Sequence, residues 1–148
     1  MTTTQETALP TAVAEFLERI STADWEGMVE HLDREVLYDA SVPGWHYQYQ
    51  GADRVVQEYR EEWSGKYRWT IVERHTVAAD DAVFLLIEMH GTPMLAGQHP
   101  PVVCRLSNLF RLADGRITEH RYTCCGEWSP DTVRHISDHA PTVEGRRA

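Results

Sequence analysis

The residues best suited to moving protons fall in three short segments. In residues 117–124 (ITEHRYTC), a period of two puts His120, Tyr122 and Cys124 on one face and Glu119, Arg121 and Thr123 on the other. A histidine beside a tyrosine can serve as acid, base or hydroxyl-orienting pair. In residues 102–112, Cys104, Leu106, Asn108, Phe110 and Leu112 share a face, so an amide interrupts an apolar row. Its N–H can meet a developing oxyanion. Asp39 follows Leu37 and Tyr38. A carboxylate in an apolar pocket has its pKa raised by desolvation, which suits proton abstraction near neutral pH. Each residue also has a structural reading: Asp39 as a strand-ending turn residue, His120 as a hydrogen-bonded core histidine. A one-residue slip in register would exchange Tyr38 and Asp39 between faces.

Aromatic residues gather beside these segments. Trp45, His46, Tyr47 and Tyr49 follow Pro43-Gly44, where they form a packed loop or a stacking rim for a flat ligand, and Trp128 is expected to close the other side. No metal or cofactor is expected. His135 and His139 have helical i, i+4 spacing, but no HExxH pattern surrounds them and no third ligand is indicated. His90, His99 and Cys104 match no ligand spacing. The cysteines (Cys104, Cys124 and Cys125) are odd in number and include an adjacent pair, which suits reduced thiols rather than a disulfide framework. No basic residue adjoins Cys124 in sequence, so it reads as a pocket-lining thiol and not a nucleophile.

These side chains must be positioned by one domain, since 148 residues leave no room for a second core. The formal charge of −9 argues against nucleic-acid or anionic-membrane partners, which need clustered Lys and Arg. No apolar run approaches a membrane span. Residues 1–9 carry no basic, apolar leader pattern and are expected to be a disordered arm, with a cytoplasmic setting implied. The domain is expected over residues 10–140, followed by a flexible tail at 141–148.

Helical spacing links Ala12, Val13, Phe16, Leu17 and Ile20 after Pro10. Asp24 is a good N-cap for a short second helix carrying Trp25, Met28, Val29 and Leu32. Residues 35–40 favour a short strand, 45–50 a loop, and 51–63 a third helix with Val55, Val56, Tyr59 and Trp63, ended by Ser64-Gly65. Strands are expected at 67–77, 82–90, 102–112 and 117–125, with a longer Gly- and Pro-rich loop at 91–101. A last short helix opens at Ser129-Pro130-Asp131. Helices followed by strands point to an α+β layered fold.

Residues 16–28 (FLERISTADWEGM), 36–44 (VLYDASVPG), the 51–63 helix and 108–120 (NLFRLADGRITEH), in that order, resemble the nuclear-transport-factor-2-like superfamily. It includes ketosteroid isomerases, SnoaL-like polyketide cyclases, scytalone dehydratase and limonene epoxide hydrolase. The resemblance spans roughly residues 10–128. It implies a cone: a curved mixed or antiparallel sheet packed against three N-terminal helices, a pocket at the open end, and dimerisation through the sheet. It places Asp39 at or one residue from a general-base aspartate, Asn108 where an oxyanion-hole acid stands, and the His120 face toward the pocket. Phe16 replaces an oxyanion-hole tyrosine, which speaks against a steroid-isomerase mechanism. Ligand contacts are expected from Phe16, Tyr38, Trp45, His46, Tyr59, Trp63, Leu106, Cys124 and Trp128.

Two functions remain open from the sequence. One is a cofactor-independent enzyme (isomerase, cyclase, dehydratase or epoxide-hydrolase type) acting on a small apolar or cyclic organic molecule through Asp39, His120, Tyr122 and Asn108. The other is a non-catalytic ligand-binding or dimerising module, since this fold hosts both. Both faces of residues 83–89 are apolar, which suits a homodimer in either case.

Overall fold

The computed structural model describes residues 8–63 and 66–139; most of the expected arm, Ser64-Gly65 and the expected tail lie outside the described residues. Pro10 precedes helix α1 (Thr11–Thr22), whose apolar stripe is buried at the five positions read from its spacing: Ala12, Val13, Phe16, Leu17 and Ile20. Each large side chain so buried contributes about 1.5–3 kcal/mol. Helix α1 ends where Ala23 adopts a left-handed φ of 56° and donates to Arg19 and Ile20 carbonyls. Asp24 then caps helix α2 (Trp25–Met28), its Oδ1 accepting the Gly27 N–H at 3.0 Å. The chain tightens into a 3-10 turn (Val29–His31), so Leu32 opens a strand instead of extending the helix.

Strand β1 (Leu32–Val42) is longer than the expected 35–40 because it is supported on both sides. Pro43-Gly44 turns it into strand β2 (Trp45–Gln50), with Gly44 at a φ of 77° that favours glycine. The expected loop at 45–50 is therefore a strand. Tyr38 faces Tyr49 across the pair and Val42 faces Trp45. Alternation puts Trp45, Tyr47 and Tyr49 on one side of β2 and His46, Gln48 and Gln50 on the other. Helix α3 (Ala52–Trp63) packs against β1 and β2.

Strands β3 (Tyr67–Ala78), β4 (Ala82–Pro93), β5 (Val102–Ala113) and β6 (Arg116–Cys124) form an antiparallel meander. Strand β6 then pairs in parallel with β1, giving a six-stranded mixed sheet in the order β2-β1-β6-β5-β4-β3. Register shifts at Leu32/Leu37, Ile71/Glu73 and Arg111/Leu112 mark bulges, which bend strands and raise their twist. The sheet is curved and unclosed, and α1 packs on it against β3 and β6. Helix α4 (Pro130–His139) follows, with Ser129 Oγ accepting the Thr132 N–H at 3.1 Å. The expected α+β cone is the observed architecture.

On β4, Val83, Leu85, Ile87 and Met89 enter the core, while Phe84 and Leu86 stay 43% and 41% exposed on the opposite face. Strand β4 runs past the expected end at His90, through Gly91. A Cβ at Gly91 would lie 2.8 Å from Val102 Cγ2 and 3.0 Å from the Trp69 ring, so only glycine lets the strands close here.

Candidate functional site

The pairing of β1 with β6 decides which side chains look inward. Tyr38 aligns with His120 and Ala40 with Tyr122, and all four are buried. Asp39 aligns with Arg121 and points the other way. The expectation of a desolvated Asp39 with a raised pKa is thus corrected. Its Oδ2 accepts a hydrogen bond from Gln48 Nε2 at 2.5 Å, its Oδ1 lies 3.1 Å from His46 Nε2, and Arg121 Nη1 stands 3.8 Å away. The Gln48 hydrogen bond, followed by His46 and Arg121, outweighs partial burial and holds the Asp39 pKa below the ordinary carboxylate value. His46, expected to contact a ligand, is engaged on this outer face instead, because alternation along β2 sends it there.

Inside, the aromatic and polar residues form one connected network. His120 is 2% exposed and stacks on Phe110, with ring centroids 4.2 Å apart and planes within 10°. Its Nε2 lies 3.0 Å from Asn108 Oδ1, an acceptor, so Nε2 carries the proton and donates. Nδ1 is then an acceptor, and the Tyr59 hydroxyl donates to it at 3.4 Å. Asn108 Nδ2 donates to the Leu85 carbonyl at 3.4 Å. The Tyr38 hydroxyl interacts with those of Tyr122 and Tyr59, and Tyr122 meets the Tyr47 hydroxyl at 3.1 Å. Phe16 packs edge-on against Tyr59, Phe110 and His120, so it is a core residue beneath the network.

Burial keeps this network neutral. It pushes the His120 pKa from 6.5 down to about 3 and drives those of Tyr38, Tyr59 and Tyr122 well upward. Across ordinary pH the imidazole carries no charge and the phenols keep their protons. The chain from Tyr47 to Asn108 is built to hold hydroxyls in place and to donate hydrogen bonds.

Two spaces meet at Tyr122. A small inner cavity of ≈ 20 Å³ is lined by Tyr59, Leu106, Asn108, His120 and Tyr122 with Leu17, Ile20, Ile71, Ile87 and Met89. A larger cleft of ≈ 490 Å³ opens beyond it. Its walls come from Trp45, Tyr47, Tyr49 and Tyr122, from Trp69 and from the segment at Cys124, Gly126 and Glu127, with Val42, Pro43, Glu58 and Cys104 completing it. Trp45 rises 69% exposed at the rim. Trp128 pairs its backbone with Val103 by hydrogen bonds of 2.7 and 2.9 Å, and its indole nitrogen lies beside Gly126 of the cleft wall. The Trp63 side chain and those of His135 and His139 lie outside the described residues. No group of three or more potential metal ligands occurs among the described residues.

Sequence reading passed over one acid in this cleft. Glu58, on α3, is 7% exposed although it sits in a polar, charged stretch (residues 57–62, QEYREE). Its carboxylate lies 3.7 Å from Arg54 Nη2 and interacts with the Tyr49 hydroxyl, over whose ring Arg54 stacks at 4.1 Å. The available signal was the spacing of Glu58 from Val55 and Tyr59, which shares part of the buried helical face.

The thiols also differ from expectation. Cys104 and Cys124 lie on one face of β5 and β6, and their thiols interact. The Gly126 N–H donates to Cys124 Sγ at 3.3 Å. These two interactions lower the Cys124 pKa to about 7, with no basic residue involved.

Residues 13–120 match the model of the SnoaL-like domain, and the chain belongs to that family. Solved structures agree on the fold. A candidate polyketide cyclase of Xanthomonas campestris pv. campestris superposes with a TM-score of 0.63 at 19% identity, over 76% of this chain and 86% of that one. A LEH-like epoxide hydrolase of M. tuberculosis gives 0.59 at 20% identity, over 78% and 80%. A candidate ketosteroid isomerase of Kribbella flavida gives 0.60 at 14% identity, over 93% of each chain. No curated protein matches the chain. No helix among the described residues is long and apolar enough to cross a membrane.

Proposed function

We propose that this chain is a cofactor-independent enzyme of the isomerase, cyclase, dehydratase or epoxide-hydrolase type. Its substrate is a small, largely apolar organic molecule seated in the ≈ 490 Å³ cleft. The observation that carries this reading is a nearly buried carboxylate, Glu58, set in a wall of aromatic rings beside phenol hydroxyls that keep their protons. Glu58 is the proton-transferring group: it removes a proton from carbon beside a carbonyl, or from a water attacking an epoxide. The Tyr122 hydroxyl donates to the oxygen on which charge develops, and Tyr47 supports it at 3.1 Å. Tyr38, Tyr59, His120 and Asn108 are positioning residues, fixing Tyr122 from behind. Asp39 stays outside this proposal. The exposed Phe84 and Leu86 support pairing of two chains through the sheet, and three free thiols accord with a reducing, cytoplasmic setting.

The test follows α-proton exchange of a panel of cyclic ketones in D2O by ¹H NMR, with hydrolysis of small epoxides measured in parallel. Turnover of at least one compound is expected, falling by about 10²–10⁴-fold in Glu58→Gln and by about 10²–10³-fold in Tyr122→Phe. Turnover that survives Glu58→Gln unchanged sinks the assignment. Binding across the panel without exchange or hydrolysis identifies a carrier and overturns the enzyme reading.

A further inference from the structure

The cleft holds a second reactive group that the proton-transfer reading does not use. Strands β5 and β6 place Leu106 opposite Cys124, so Cys104, two residues from Leu106, shares its face, and both sulfurs line the cleft. The two thiols are not equivalent. Cys104 is 3% exposed, whereas Cys124 is half-buried and reachable from the cleft. Beyond β6 the chain turns through Gly126, at a φ of 100°, and the Gly126 N–H donates to Cys124 Sγ at 3.3 Å. Cys124 therefore accepts from a fixed backbone donor, and the neighbouring Cys104 thiol lowers its pKa further while its own is raised. Cys125 points away from the cleft face and accepts the Arg105 N–H at 3.3 Å.

We infer that Cys124 is a nucleophilic thiol of the cleft and forms thioethers with small α,β-unsaturated carbonyl compounds that enter it. The Cys124 sulfur forms a bond to the β-carbon, and the C=C pair moves through the conjugated system onto the carbonyl oxygen. The resulting enolate takes one proton from solvent at the α-carbon, so the net change is addition of one thiol across one double bond. A conjugated carbonyl fits better than a simple alkylating agent because the hydroxyls of Tyr47 and Tyr122 share the cleft with Cys124 and can receive the oxygen charge. The carbonyl preference rests on the donor role proposed for Tyr122; the nucleophile itself does not. Lowering the thiol pKa from 9.0 to about 7 raises the ionised fraction at pH 7 from about 1% to about half. The weaker nucleophilicity of a less basic thiolate removes about eight-fold of that gain, leaving roughly six-fold.

The experiment incubates the full chain with 2-cyclohexen-1-one or iodoacetamide across pH 5.5–9.5 and reads adducts by intact mass and peptide mapping. The first adduct is expected at Cys124, with a rate midpoint near pH 7. Cys104→Ala should move that midpoint toward an ordinary thiol and remove part of the roughly six-fold gain at pH 7, the Gly126 N–H remaining in place. Cys104→Ser, which keeps a donor, should restore most of it and guards against a merely unfolded variant. Tyr122→Phe should slow cyclohexenone but not iodoacetamide. First modification at Cys125 or Cys104, or a Cys124 midpoint equal to that of the denatured chain, overturns the inference. Because adducts are read by mass and not turnover, this outcome is separate from failure of the Glu58 assignment.

Discussion

Acidification should destabilise this protein through one buried imidazole. His120 is held neutral by burial, with a pKa of about 3 against 6.5 for a free side chain. Between those values the unfolded chain binds a proton that the folded chain refuses. Stability therefore rises with pH across this window and is lost as pH falls below 6.5. The slope approaches about 1.4 kcal/mol per pH unit below 6.5 and is half that at 6.5 itself, so moving from pH 6.5 to 4.5 removes about 2 kcal/mol. That is a large share of the roughly 5–15 kcal/mol by which domains are stable. The assay is urea denaturation at pH 7.0, 6.5, 5.5 and 4.5, followed by circular dichroism. The control is the double substitution Asn108→Leu with His120→Phe, which removes the titrating ring together with its 3.0 Å partner and so leaves no orphaned amide. Carboxylates with lowered pKa values, Asp39 and Glu88, titrate in both proteins and cancel in the difference. The wild-type chain should lose about 2 kcal/mol more than the control between pH 6.5 and 4.5. Parallel curves would show that His120 takes up its proton in the folded state, and the neutral network would be refuted.

Three further outcomes follow from the packing. Phe16→Ala should cost about 3–5 kcal/mol in denaturant unfolding, because the ring is fully buried against Tyr59, Phe110 and His120. Gly91→Ala should cost about 1–3 kcal/mol, since the new methyl would press on Val102 and the Trp69 ring; an unchanged melting temperature would contradict the close strand approach. Asp39→Asn should lower stability by about 1 kcal/mol at pH 7. Because the Asp39 pKa is lowered, its contribution exists above pH 3.8 and fades below it, so the two proteins should converge in acid.

Much of the frame was legible in the chain because it depends on local periodicity. The stripe of α1, the Asp24 cap, the four long strands and the sharing of one face by His120 and Tyr122 follow from spacing that holds whatever the neighbours are, while the inward direction of that face came from the family resemblance. Period two fixed which residues share a face of β6, and the shared face did prove to be the interior. Residues 36–42 alternate Val36, Tyr38, Ala40 and Val42 with Leu37, Asp39 and Ser41. The first set is the more apolar, but so short a span leaves the register against its neighbour open. The parallel register with β6 settles it by aligning Tyr38 with His120, which sends Asp39 outward to Gln48 and His46. Likewise, residues 45–50 become a strand because β1 offers a free edge; their own polar character only suggested a loop.

The site's charge and its thiol chemistry were set by tertiary structure alone. Glu58 reads as one carboxylate of a charged helix, and becomes a buried acid only because α3 docks where β2 brings Tyr49 and the cleft to it. Cys104 and Cys124 are twenty residues apart, and no local pattern joins them; the β5–β6 register puts the two sulfurs on one face. The sequence by itself determined the elements and the chemistry available on each face, since both arise from backbone period and side-chain type. Which of those groups meet, and which keep or lose a proton, was decided by the packing that removes water from some of them and leaves it on others.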